Sequence, residues 1–148
     1  YCFEEVIRAC ATVQRNQAFD GNWISEDVIT AYTALHQQGH AHSFDAWQDG
    51  ELIGGLYGVR IGRIFCGESM FSKQSQASRI AFSHAGNFLA TQGIMLIDCQ
   101  QDSDYLRSLG ATLIPRGEYE FYIHTLSYGA TTATPWLAGR IAYHGHYI

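Results

Sequence analysis

Three features of the sequence predict an α+β (mixed α/β) layer fold. Apolar residues recur at helical spacing over residues 3–13, 25–39 and 77–93. Between the second and third of these helices, Asp49-Gly50 and Ile61-Gly62 divide the chain into three short runs, as in an antiparallel meander. After the third helix, Gly93 opens the apolar run Ile94-Met95-Leu96-Ile97, which reads as a buried strand parallel to its neighbours. The resulting order, α-α-β-β-β-α-β-α-β-α, places helices against the faces of a mixed sheet in one domain.

Each element has a local reason. Phe3, Val6, Ile7, Cys10 and Val13 make one apolar stripe, so residues 3–13 form an amphipathic helix, and the polar Arg15–Asn22 reads as a loop. Ser25 is an N-cap, with Glu26 and Asp27 in the first turn where carboxylates suit the helix dipole. Val28, Tyr32 and Leu35 face inward from that helix, and Gly39 ends it. Ala41–Trp47 and Leu52–Val59 are paired strands. Gly54, Gly55 and Gly58 inside the second predict a bulge or the close approach of a ligand. Arg63–Cys66 is the third strand. Ala77, Ile80, Ala81, His84, Ala85, Phe88 and Leu89 mark the long helix, stopped near Gly93. After the buried run come a short helix over Tyr105–Leu109 closed by Gly110, a strand over Ala111–Ile114 halted by Pro115, and a helix over Glu118–Leu126 with Tyr119, Tyr122 and Ile123 on one side.

Composition narrows the function classes. The chain has 148 residues, 47 % apolar and 16 % charged, which suits a globular domain with a core of its own. No apolar run approaches the roughly 18 residues that span a bilayer, so no membrane partner is expected. The four cysteines are scattered and read as reduced core thiols of a cytoplasmic protein. A net charge of −5 with nine Lys and Arg argues against broad contact with a nucleic-acid backbone. Arg60 with Arg63, and Lys73 with Arg79, leave room for a local basic patch. The seven histidines include the pairs His40/His42 and His144/His146, but neither comes with a third ligand at zinc-site spacing. The chain opens on Tyr1 within what reads as an ordered unit, so an upstream segment is expected.

The chemistry is expected around Phe65–Ser72 and Asp98-Cys99-Gln100. The first stretch holds one carboxylate, Glu68, two hydroxyls and three large apolar side chains. The second ends the apolar run, and the carboxyl ends of such strands are where open α/β sheets bind ligands. Asp98 and Gln100, two apart, point to one side of an extended chain, whereas Cys99 alternates away into the core. Lys73-Gln74-Ser75-Gln76-Ala77-Ser78 contains no glycine, which disfavours a pyrophosphate cradle of the acetyl-CoA kind.

A series of blocks in order resembles the leucyl/phenylalanyl-tRNA–protein transferases. They are Trp23-Ile24-Ser25, Ala31-Tyr32, Leu35-His36, Gly39-His40-Ala41-His42-Ser43, Gly54-Gly55-Leu56-Tyr57-Gly58, Phe65–Ser72, Leu96–Gln100 and Ser108-Leu109-Gly110-Ala111. The resemblance covers residues 1 to about 124. It implies an acetyltransferase-like (GNAT-related) central mixed sheet flanked by helices. It further implies transfer of Leu or Phe, with Met as a third candidate, from the 3′ end of aminoacyl-tRNA to proteins that begin with Arg or Lys, feeding N-degron degradation. No metal or redox cofactor is implied, and a monomer is expected.

By the same resemblance Gln100, Asp98 and Glu68 are the catalytic residues, and Trp23, Tyr32, Leu56, Met70, Ser72, Ala85 and Leu89 bind substrate. A peptide α-amine, with a pKa of about 7.7–8.0, is partly neutral at pH 7, so an activated ester needs orientation and oxyanion stabilisation more than a strong base. A side-chain amide is a very poor base. Gln100 is therefore expected to position the amine or the ester carbonyl, with Asp98 fixing the amide's orientation. Glu68 would hold an α-ammonium by a charge-assisted bond, and Ser72 is either a hydrogen-bonding group or a helix cap. Leu56, Met70, Ala85 and Leu89 match the apolar side-chain pocket; Trp23 and Tyr32 match aromatics near the terminal adenosine.

Departures from the family pattern sit around this site. Leu56 and Leu89 stand where relatives often carry Met and Phe, and Ala85 where Phe is common, implying a wider pocket. Tyr105 and Ser103 stand where His and Asn are usual. The expected organisation is a single catalytic domain over residues 1–148, with a divergent tail over 128–148 containing Pro135-Trp136, and without the family's N-terminal domain. Two alternatives stay open: transfer to a small-molecule or peptide amine, and a non-catalytic peptide-binding remnant.

Overall fold

The computed structural model describes residues 2–12, 23–128 and 136, and a four-stranded sheet between helices forms its framework. α1 (Phe3–Thr12) buries Phe3, Val6, Ile7, Ala9 and Cys10, the one-sided set its spacing demands. Val6 and Ile7 are fully buried, each worth about 1.5–3 kcal/mol relative to exposure. α2 (Glu26–Gln37) begins where Ser25 Oγ accepts the Val28 N–H at 3.4 Å. It ends at Gln38, followed by Gly39 at φ +80°. Arg8 joins the two helices, bonding both Glu4 and Glu26 at 2.9 Å. The loop expected at Arg15–Asn22 lies outside the described residues.

β1 (Ala41–Gln48) and β2 (Glu51–Ile61) are antiparallel across Asp49 and Gly50, whose φ angles of +51° and +83° are what a type I′ hairpin turn requires. Gly62, at φ +59°, turns the chain into β3 (Ile64–Ser72). A Cβ there would lie 2.3 Å from the Leu126 carbonyl oxygen, so space as well as conformation requires glycine. β3 is longer than the predicted Arg63–Cys66 strand and takes in the whole of Phe65–Ser72. α3 (Ala77–Thr91) crosses back, Gly93 at φ +75° stops it, and β4 (Leu96–Asp98) pairs with β3 in parallel as expected.

Two expectations are corrected. Ile94–Ile97 is not a buried strand: pairing is confined to Leu96–Asp98, all half-buried, and Met95 is 62 % exposed. β4 closes the order β1-β2-β3-β4, so among the described residues it is an edge. Ala111–Ile114 forms no strand, and Leu113 is 73 % exposed. Its first N–H is already bonded to Leu106 O, which keeps the segment tied to the preceding turn instead of to a sheet edge. The short helix α4 (Asp104–Ser108) and the last helix α5 (Arg116–Ser127) form as expected. No helix among the described residues is long and apolar enough to cross a membrane.

Each sheet face has its own core. α1 and α2 cover one, with Phe3, Val6, Ile7, Ile29, Leu52, Tyr57 and Phe71 packed together. α3 covers the other through Ala81, Ala85 and Leu89 against Leu56 and Phe65, with Phe44, Met70, Phe82, Ile97 and Trp136 around them. A β-bulge reconciles the two. Gly58 pairs with Gly67 and Tyr57 with Ser69, leaving Glu68 as the extra residue of β3. Without it Phe65 and Phe71, six apart, would share a face; with it Phe65 packs under α3 and Phe71 under α1. The glycines of β2 meet protein, not ligand. A Cβ on Gly54 would strike Ala77 at 2.6 Å, and one on Gly58 would strike Cys66 O at 2.2 Å.

Candidate active site

Past Cys66 and Asp98 the two parallel strands part. β3 continues through the bulge, while the chain of β4 turns away at Cys99. The gap they leave, roofed by α3 and flanked by α4, is a cavity of about 200 Å³. Its depths are apolar: Leu56, Phe65, Met70, Phe82, Ala85, Leu89 and Ile97. Leu56 and Met70 are cross-strand partners, which is why one row of the sheet supplies both. A cavity of about 150 Å³ measured this way can hold a benzene ring. This one therefore has room for an aromatic or branched aliphatic side chain. Polar groups stand around the apolar part: Glu68 and Ser69 from the bulge, Gln100 and Gln101 from the turn after β4, Ser103 from the N-cap of α4 and Tyr105 from its first turn.

The bulge aims Glu68 at this space. On its other side stands Tyr32 of α2, edge-on to Tyr57 at 5.3 Å. Burial and then the neighbouring Glu68 carboxylate push the Tyr32 hydroxyl up to about 12, so it stays protonated and can donate to Glu68. Tyr32 does not line the cavity itself; it reaches it through Glu68. Burial, reinforced by Asp98 and Glu68, pushes the Cys66 thiol up to about 11, and burial with Asp98 also raises Cys99. Both are thiols at neutral pH, without the thiolate character of a nucleophilic cysteine.

Asp98 and Gln100 come together differently from the extended geometry expected of them. The strand ends at Asp98, and Gln100 takes φ +60°, the left-handed region. Asp98 Oδ1 accepts the backbone N–H of Gln100 at 2.8 Å, so the carboxylate holds the main chain of the turn. Gln100 lines the cavity and Asp98 stands behind it. Cys99, read from alternation as core, lines the cavity because the chain has left the extended state by then. The missed signal is the polar run Gln100-Gln101-Asp102-Ser103, which suits a turn and a helix cap better than a continuing strand.

α4 closes the mouth. Ser103 Oγ accepts the Leu106 N–H at 3.2 Å as N-cap, and the Tyr105 hydroxyl shares a 2.7 Å hydrogen bond with Ser78 Oγ on α3. Arg79 stacks over the Tyr105 ring at 6.0 Å and donates to Ser108 Oγ at 2.8 Å. Ser103 and Tyr105, two of the residues read as departures from a family pattern, thus line the cavity at its α4 side.

Other predicted site residues lie elsewhere. Ser72 Oγ accepts the Ser78 N–H at 3.3 Å and donates to Gln74 O at 2.5 Å, so it stabilises the start of α3. Trp23, 47 % exposed, precedes α2 and does not line the cavity. In the loop before α3 the N–H groups of Lys73, Gln74, Ala77 and Ser78 are already bonded within the chain, and so are not free for a pyrophosphate. The expected basic patch is largely occupied. Arg60 lies over Trp136 at 5.1 Å, and Arg63 donates to Gly93 O at 3.2 Å. His42 is buried, bonded to Gly39 O at 3.0 Å and packed on Trp136 at 4.1 Å. No group of three or more metal-ligating residues occurs among the described residues; His144 and His146 lie outside them.

The family model for Leucyl/phenylalanyl-tRNA protein transferase matches residues 1–124. The chain belongs to that family. Its relatives named leucyl/phenylalanyl-tRNA–protein transferase include one from Cupriavidus necator, 49 % identical over 133 residues, 90 % of this chain and 51 % of the relative. One from Chromobacterium violaceum is 55 % identical over 114 residues, 77 % of this chain and 48 % of the relative. The chain therefore spans about half the length of the curated transferases it matches. The solved structure of AAC(6')-Iy in complex with a bisubstrate analogue superposes with a TM-score of 0.43 at 14 % identity, over 84 % of this chain and 82 % of that one.

Proposed function

We propose that this chain is the catalytic domain of an aminoacyltransferase that moves Leu or Phe from aminoacyl-tRNA to the α-amine of proteins beginning with Arg or Lys, feeding N-degron degradation. Family membership supports the reaction class. The observation that carries the site is the cavity, apolar in its depths and polar where Glu68 and Gln100 face it. The side chain of the aminoacyl group enters the apolar part, where shape and burial select it. Its ester carbonyl then lies at the polar part.

The acceptor amine nitrogen attacks the carbonyl carbon. The new C–N bond forms, the C–O bond to the terminal ribose breaks, and the proton lost by the amine passes to the leaving ribose hydroxyl. Gln100 can donate an N–H to the developing oxyanion and accept from the amine with its carbonyl, a positioning role that needs no basicity. Glu68, held from behind by Tyr32, pairs with an α-ammonium. Leu56, Met70, Ala85 and Leu89 form the side-chain pocket. Trp23 is open to stack on the terminal adenine, and Ser72 supports α3.

Residues 1–148 act as one catalytic domain with 128–148 as a divergent tail, in the cytoplasm and as a monomer. The test is transfer of labelled Leu and Phe from charged tRNA to a peptide beginning with Arg. Transfer that falls at least tenfold in Gln100→Ala supports the reading (about 1.4 kcal/mol of barrier). Absence of transfer by the parent chain, or transfer unchanged in Gln100→Ala, overturns it.

A further inference from the structure

We infer that Tyr119, on α5, is a positioning residue for the transfer site: it holds Asp98 so that Asp98 can hold Gln100 in its left-handed conformation at the cavity. The inference rests on the reading of Gln100 as the residue that orients the reacting groups. The Tyr119 hydroxyl donates to Asp98 Oδ2 at 2.8 Å, while Asp98 Oδ1 accepts the Gln100 backbone N–H, also at 2.8 Å. One carboxylate therefore holds both the turn at Gln100 and Tyr119, which lies 21 residues beyond Asp98 itself, each through its own oxygen.

The join has work to do because Gln100 is a non-glycine residue at φ +60°. Such a conformation costs of order 1 kcal/mol or more for an L-residue and persists where its surroundings impose it. The Gln101 N–H to Cys99 O bond at 2.7 Å and the Asp98 bond are what impose it here. Asp98 sits at the last residue of a three-residue strand that is an edge among the described residues, where the backbone ladder constrains it little. Tyr119 supplies that constraint from a helix. α5 is itself anchored where Arg63 N–H donates to Leu126 O at 2.9 Å and where Gly62 lies against Leu126 and Ser127. The carboxylate also raises the Tyr119 hydroxyl above its ordinary range, so the phenol remains a donor through neutral and mildly alkaline pH. The bond is exposed, so its effect is modest: about five- to tenfold in rate.

The test compares Tyr119→Phe with the parent chain by transfer kinetics, by the NMR signal of the Gln100 backbone amide, and in an Asp98→Ala background. The expected result has three parts. kcat falls about five- to tenfold with KM for aminoacyl-tRNA little changed. The Gln100 amide shifts and exchanges faster while amides of α1 and α3 keep their positions, which shows that the fold is intact. Tyr119→Phe causes no further loss once Asp98 is alanine. An unmoved Gln100 amide overturns the inference whatever happens to kcat, as does an unchanged kcat or a fully additive double variant. If the parent chain transfers nothing, the proposed reaction fails on its own account, and the amide signal still decides whether Tyr119 acts through Asp98 on Gln100.

Discussion

Gly58→Ala connects the sheet to the site. The new methyl would lie 2.2 Å from Cys66 O and 2.6–2.7 Å from two atoms of the Phe65 ring. A flexible side chain could yield at such a distance, but the nearest obstacle is backbone. Its neighbour in the ladder, Gly67, is followed by the bulged Glu68. Overpacking a core by one methyl costs about 1–3 kcal/mol, and the rigid obstacle puts this case near 3 kcal/mol. At roughly 2–4 °C per kcal/mol for a chain of this size, Tm should fall by about 6–12 °C. Strand separation at this point also re-aims Glu68, so transfer should fall at temperatures where the variant remains folded. Gly86→Ala is the control. Gly86 lies inside α3 with nothing within 4 Å of a built Cβ, so helix propensity alone should stabilise that variant by about 1 kcal/mol. Thermal and urea unfolding of both variants, with transfer measured well below each Tm, makes the comparison. A loss below about 0.5 kcal/mol in Gly58→Ala, the size of an ordinary surface change, would refute the bulge as the element built around Gly58.

Further outcomes follow from the same geometry. Ala85→Phe fills part of the cavity and should lower kcat/KM for Phe relative to Leu by about tenfold, since even one methylene in an apolar pocket discriminates by about 10–200-fold; an unchanged ratio would place the side chain elsewhere. Tyr105→Phe removes the bond to Ser78 and should raise KM for aminoacyl-tRNA about fivefold while lowering Tm by only about 2–4 °C, because a neutral hydrogen bond contributes about 1 kcal/mol. Burial lowers the His42 ring to about 4 from an ordinary 6.5. Between those values the unfolded chain binds the proton and the folded chain does not. Stability therefore rises with pH through that window, is complete above about 6.5, and loses up to about 3 kcal/mol as pH falls toward 4. His42→Gln should flatten that slope in urea unfolding; a slope equal to the parent's would assign it to other groups.

What the sequence revealed was mostly local. Ser25 as a cap, Asp49-Gly50 as a hairpin turn and Gly93 as a stop each depend on a few adjacent residues, and all hold in the structure. Leu56, Met70, Ala85, Leu89, Glu68 and Gln100, expected at the site from the family resemblance and not from local pattern, all line one cavity. What stayed hidden depends on distant partners. Nothing near Glu68 announces that it is the extra residue of β3, because a bulge is defined by the register of the neighbouring strand. Cys99 was assigned inward by strand alternation, and alternation stops where Gln100 turns left-handed. Ala111–Ile114 has strand-forming residues, but its first N–H is taken by Leu106 O in the preceding turn. The Tyr119–Asp98 bond joins an edge strand to a helix that no local pattern connects.

The central claim is that the cavity between β3, β4 and α3 receives the aminoacyl side chain. The most direct measurement is binding of amide-linked phenylalanyl- and leucyl-adenosine, which cannot be transferred, followed by ¹³C-methyl NMR of Met70 and of leucines 56 and 89. Binding that shifts these methyl signals, weakened in Ala85→Asp while adenosine alone shifts none of them, is the expected result. Binding that leaves the methyl signals in place, or binding equal for adenosine with and without the amino acid, would contradict the account.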